Sequence, residues 1–86
     1  MPDYQIRFAR SARKELESLP NSHIARILRK IESLSIDPRP PGCKKLIGIR
    51  DLRRIRVGDF RVIYSVNRSE IVIEIIAIRH RGDAYR

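Results

Sequence analysis

The sequence predicts an α+β fold, β-α-α-β-β-β, with an antiparallel-rich four-stranded sheet and a helical hairpin packed on one face. Three observations predict it. Residues 52–64 form two short β-branched and aromatic runs joined by Gly58-Asp59, a hairpin signal with Gly at the first loop position. Residues 4–8 and 71–79 read as further strands, one alternating and one almost wholly apolar. Between residues 11 and 34 the apolar positions switch to steps of three and four, the spacing of amphipathic helices.

Taken in order, Tyr4, Ile6 and Phe8 alternate with polar residues and mark a half-buried strand. Phe8, Ala12, Leu16 and Leu19 then follow helical steps, so a short helix is expected over 11–19, with Ser11 as its N-cap. Pro20-Asn21 interrupts it. Asn21 or Ser22 is expected to cap a second helix carrying Ile24, Ile27, Leu28, Ile31 and Leu34 on one stripe and Arg26, Arg29 and Lys30 elsewhere. Asp37-Pro38-Arg39-Pro40-Pro41-Gly42 cannot continue a helix and reads as a loop. Lys44, Lys45, Leu46 and Gly48 lead into the hairpin, and a turn at Asn67-Arg68-Ser69-Glu70 opens the last strand. That strand is apolar at nearly every position, as a central strand covered on both faces would be.

In the hairpin, a two-residue loop sets Val57 opposite Phe60, Arg56 opposite Arg61, Ile55 opposite Val62 and Arg54 opposite Ile63. Strand alternation then gives Arg54, Arg56 and Arg61 one face and Ile55, Val57, Phe60, Val62 and Tyr64 the other. Like charges directly opposite each other are destabilising. An anion between them removes the conflict.

The 86 residues are expected to form a single domain spanning 1–86, with a thin core. Hydrophobic residues make up 42%, which separates the chain from disordered sequences. The net charge of +9 favours a polyanionic partner. Residues 1–40 hold 8 basic and 5 acidic side chains, and residues 41–86 hold 11 and 5, so the excess is concentrated around the hairpin. One cysteine, Cys43, rules out an internal disulfide and suits a reducing compartment. No signal-peptide pattern or membrane-length apolar run is present, so a soluble, cytoplasmic protein with no membrane association is expected. His23 and His80 are far apart and no ligand spacing occurs, so neither a metal nor another cofactor is expected. Phosphate-loop, dinucleotide and Ser/His/Asp signatures are also missing.

The chemistry is therefore carried by Arg54, Arg56 and Arg61, with His80, Arg81 and Tyr85 arriving from the end of the last strand. Arginine offers planar donors that match phosphate and keeps its charge at any physiological pH. Such a cluster can clamp a backbone phosphate and stabilise a phosphorane-like transition state. Tyr85 can stack on a base or act in proton transfer. Lys44, Lys45, Arg53 and His80, with Arg26, Arg29 and Lys30 on the second helix, are further candidates for contact with a nucleic acid.

Lys45-Leu46, Gly48, the run Arg54-Ile55-Arg56-Val57-Gly58-Asp59-Phe60-Arg61-Val62-Ile63-Tyr64, His80-Arg81 and Tyr85 together resemble the RelE branch of the RelE/ParE toxin superfamily. The resemblance covers essentially the whole chain. It implies a ribosome-dependent endoribonuclease that cuts mRNA in the ribosomal A site through the ribose 2′-hydroxyl. It further implies a RelB-like antitoxin, and a toxin–antitoxin complex that binds operator DNA through the antitoxin. The family's basic strand pair falls on Arg54 and Arg56, its phosphate-stabilising arginine on Arg61, and its late arginine and tyrosine on Arg81 and Tyr85. Relatives often carry lysines where this chain has Arg54 and Arg56. Arginine does not give up its proton in proteins, so these two hold charge, and Tyr85 or His80 is left as general base. Two other readings stay open on sequence: a ParE-like DNA gyrase-inhibiting toxin and a non-catalytic RNA-binding module.

Overall fold

The computed structural model describes residues 3–46, 48 and 51–80. The elements are β1 (Gln5–Phe8), α1 (Arg10–Glu17), α2 (Asn21–Leu34), β2 (Lys44–Lys45), β3 (Leu52–Val57), β4 (Phe60–Asn67) and β5 (Val72–His80). They build one sheet in the order β1-β5-β4-β3-β2. β1 runs parallel to β5, and every other neighbouring pair is antiparallel. The sheet thus has five strands where four were expected. The fifth is the two-residue β2, too short to show an alternating pattern.

Both helices begin earlier than their polar residues imply. Ala9 donates its N–H to Ile75 as the last rung of β1, and its carbonyl accepts the first helical bond from Arg13, so α1 starts at Arg10 and Ser11 caps nothing. Pro20 stands at the head of α2 in the same way: its carbonyl accepts from His23 and Ile24. Chain direction at the exit from strand and proline outweighs capping chemistry in both cases.

Ala12 and Leu16 of α1 and Ile27, Ile31 and Leu34 of α2 pack on Ile55, Phe60, Val62, Tyr64, Val66, Ile73, Ile75 and Ile78. This single core covers one face of the sheet with the helix pair. The β3–β4 register is the expected one, from Val57 opposite Phe60 through Arg56 opposite Arg61 to Arg54 opposite Ile63. Gly58 has φ of +59°, while Asp59 stays at negative φ, which is the pattern of a type II′ turn. A Cβ on Gly58 would lie 3.2 Å from the Arg26 guanidinium, which rests over the turn.

β5 is not regular. Ile63 pairs with Ala77 but Tyr64 pairs with Ile75, so Ile76 is an extra residue in a β-bulge. Before the bulge the odd positions, Ile73 and Ile75, are buried towards the helices; after it Ile78 pairs with core Val62 and His80 with core Phe60. The change of parity accounts for part of the strand's unbroken apolar character, since both parities serve the core in turn.

Candidate functional site: an arginine-lined face of the sheet

The face turned away from the helices is built by alternation. Lys44 pairs with Arg54 across β2–β3, and Arg56 pairs with Arg61 across β3–β4. Directly opposed residues share a face, so the four cations converge. Lys44, Arg54, Arg56 and Arg61, with Gly42 at the rim, line a concavity of about 200 Å³. Arg56 is pinned by its own turn, its Nε donating to the Gly58 carbonyl at 3.0 Å. Arg61 is opposed on its other side by Arg79 of β5. The alternation of β5 before the bulge would send residue 79 towards the core, so this position cannot be found without the bulge.

Arg53 does not join this group. It stands opposite Tyr64, on the helix side of the sheet, with a side chain only 14% exposed. Its Nε donates to Asp51 Oδ1 at 3.0 Å, and its Nη1 lies 3.9 Å from Cys43 Sγ. Burial works to lower its pKa, but the bond to Cys43 and the charge of Asp51 outweigh that and raise it. Alternation explains the placement: Arg53 and Arg54 are neighbours in a strand and must diverge. Lys45, paired with Arg53, is exposed at the sheet edge.

His80 also lies on the helix side. Its ring meets Phe60 edge-on, with centroids 5.3 Å apart, and His23 approaches the same phenyl ring at 5.2 Å. These rings, with Arg26 and Asp59, border a second cavity of about 180 Å³. Arg26, Arg29 and Lys30 border Val57 where α2 meets the hairpin and form a basic patch on the helix side of β3. The expected positions Arg81 and Tyr85 lie outside the described residues. Among the described residues no group of three His, Cys, Asp or Glu side chains is placed to hold a metal ion.

The family model described as ParE toxin of type II toxin–antitoxin system, parDE, matches residues 6–85, and the chain belongs to this RelE/ParE toxin family. It is 31% identical over 86 residues to a RelE-like toxin protein of Escherichia coli, covering 95% of this chain and 90% of the relative. It is 30% identical to the toxin RelG of Mycobacterium tuberculosis, with 96% and 97% covered. Among solved structures it is similar to a chain of the archaeal RelE–RelB complex from Pyrococcus horikoshii OT3, with 39% identity, a TM-score of 0.84 and coverage of 93% and 97%. The protein is thus a RelE-like toxin of a toxin–antitoxin system.

Proposed function

We propose that this toxin is a ribosome-dependent endoribonuclease that cuts mRNA in the ribosomal A site. The observation that carries the reading is the convergence of Lys44, Arg54, Arg56 and Arg61 on one concavity, which is a receptor for a phosphodiester. Arg54, Arg56 and Arg61 hold the scissile phosphate and oppose the charge that grows on it in the transition state. The ribose 2′-hydroxyl gives its proton to the Tyr85 phenolate and its oxygen bonds to phosphorus. The bond from phosphorus to the 5′ oxygen breaks, that oxygen takes a proton from solvent, and a cyclic phosphate and a 5′-hydroxyl remain. Arg81 supports the leaving side. Tyr85 is preferred to His80 as base because His80 packs against Phe60 on the opposite side of the sheet from Arg61.

Arginines do not exchange protons, so the cluster of Arg54, Arg56 and Arg61 holds charge only, and placement of the mRNA by the ribosome supplies much of the rate. Free RNA is cut little. The basic patch of Arg26, Arg29 and Lys30 gives sequence-independent contact with ribosomal RNA. The inhibitory partner is a RelB-like antitoxin, a reading supported by the similarity to a chain of a RelE–RelB complex. The complex binds operator DNA through the antitoxin, and the protein works in the cytoplasm; no helix among the described residues is long and apolar enough to cross a membrane.

Primer extension on a translated mRNA tests the reading with wild type, Arg61→Ala and Tyr85→Phe. Cuts at codon positions that vanish in both variants are expected. Equal cleavage of naked RNA overturns the ribosome dependence. The matching family model carries the ParE name, so gyrase inhibition is the second reading, and loss of supercoiling activity on adding the toxin would favour it.

A further inference from the structure

We propose that Arg79 forms a second phosphate subsite beside Arg61, so that the sheet grips two successive phosphates of one RNA strand. The identity of the ligand rests on the RNA-cleaving reading; the subsite itself rests on the register. Arg56 is directly opposite Arg61, and Arg61 is directly opposite Arg79, so three arginine positions form a row across β3, β4 and β5, with the Arg79 side chain reaching the sheet edge at Glu15. With neighbouring strands about 4.8 Å apart, the row spans roughly 10 Å between its outer Cα atoms, wide enough for two adjacent phosphates to be held side by side. A nucleic-acid backbone supplies a regular series of negative charges to match it.

The fold makes a specific arrangement to put Arg79 there. The bulge at Ile76 reverses the parity of β5 and turns residue 79 away from the core. β1 ends its pairing at Phe8 opposite Ile75, which leaves the Ile78 N–H beyond the reach of that strand. Glu15 of α1 fills the gap: Oε1 accepts from Ile78 at 3.0 Å, and its other carboxylate oxygen pairs with Arg79 Nη1. A guanidinium has five N–H donors in a planar fork, so an edge engaged by Glu15 leaves donors for a phosphate. The Arg79 side chain is 48% exposed. Glu15 is accordingly a positioning residue, and Arg79 a binding residue one step along the strand from the scissile phosphate.

The test is the salt dependence of binding to a short single-stranded 2′-O-methyl oligoribonucleotide, which has no free 2′-hydroxyl to attack. Removing one phosphate contact lowers the slope of log K against log salt by about 0.7. Arg79→Gln is expected to show that loss and Arg79→Lys to keep the wild-type slope. On ribosomes, Arg79→Gln is expected to raise KM with kcat unchanged, the mark of a contact made equally in ground and transition states. An unchanged slope in Arg79→Gln overturns the subsite, as does a loss that lysine does not restore. Weakened antitoxin binding with an unchanged RNA slope also overturns it and reassigns Arg79 to the protein interface. The two readings fail separately. A wild type that cuts no mRNA on ribosomes, with the slopes as expected, removes the nuclease and leaves the subsite; normal cutting with an unchanged Arg79→Gln slope does the reverse.

Discussion

The hydroxyl of Tyr64 donates a 2.7 Å hydrogen bond to the carbonyl of Pro38, fastening the loop that leaves α2 to the middle of the sheet. The ring is fully buried, and loss of hydration, then the neighbouring Cys43, push its pKa well above the ordinary 10.0. A raised native pKa means that the stabilisation is complete below the unfolded value near pH 10 and drains away as pH rises through the native one. Tyr64→Phe leaves the Pro38 carbonyl without this donor and is expected to cost about 1–3 kcal/mol at neutral pH. Urea melts from neutral to alkaline pH should show a flatter decline above pH 10 in the variant. Parallel curves would show that the Tyr64 phenol does not govern alkaline stability.

Glu15 seals the edge of β5 where β1 gives out. Glu15→Ala removes the acceptor for the Ile78 N–H and the partner of Arg79 together, for an expected loss of about 1–3 kcal/mol. Glu15→Gln retains an oxygen for the amide and should lose less. Hydrogen exchange at Ile78 is the direct readout: fast in the alanine variant and intermediate in glutamine. Equal protection in all three proteins would contradict the edge-sealing role.

Arg61 lies between Arg56 and Arg79 and makes two like-charge oppositions. Relieving such pairs is worth a few tenths to about 1 kcal/mol each. Arg61→Ala is expected to stay folded while losing growth inhibition in cells. A variant that loses toxicity only because it unfolds would show the opposite, and a thermal scan separates the two outcomes.

Ile71, at the end of the β4–β5 turn, has φ of +57°. A β-branched residue in the left-handed region costs about 1–2 kcal/mol, whereas asparagine tolerates it. The turn is otherwise well held, with the Asn67 side chain accepting from Glu70 N at 2.9 Å and donating to Glu70 Oε1 at 3.0 Å. Ile71→Asn should gain roughly 0.5–1 kcal/mol after the loss of a half-buried side chain is set against the relieved strain. A lower urea midpoint in the variant would mean that packing outweighs backbone strain at this position.

The hairpin was legible in the sequence because its information is local. Gly58 supplies the positive φ, alternation divides the faces, and the arginine pair follows from a two-residue loop. The apolar stripe of α2 was legible for the same reason. What escaped depends on distant partners. β2 is two residues long and exists only because β3 offers an edge. The bulge at Ile76 is a compromise between β4 and β5, and with it went the position of Arg79. Arg53 carries the same charge as its neighbours; alternation puts it on the helix side, and its ties to Asp51 and Cys43 hold the charge there. The helix starts were missed by a residue or more because Ala9 and Pro20 supply backbone geometry rather than a side-chain cap.

The parallel pairing of β1 with β5 also has a temporal consequence. Gln5 waits for Val72 and Phe8 for Ile75, so the earliest strand to be synthesised has no sheet partner until the latest has been made. Non-local closures of this kind come late in folding. β5 also brings Arg79 to its place opposite Arg61. A growing chain therefore carries Arg54, Arg56 and Arg61 before the strand that sets Arg79 beside them has been made.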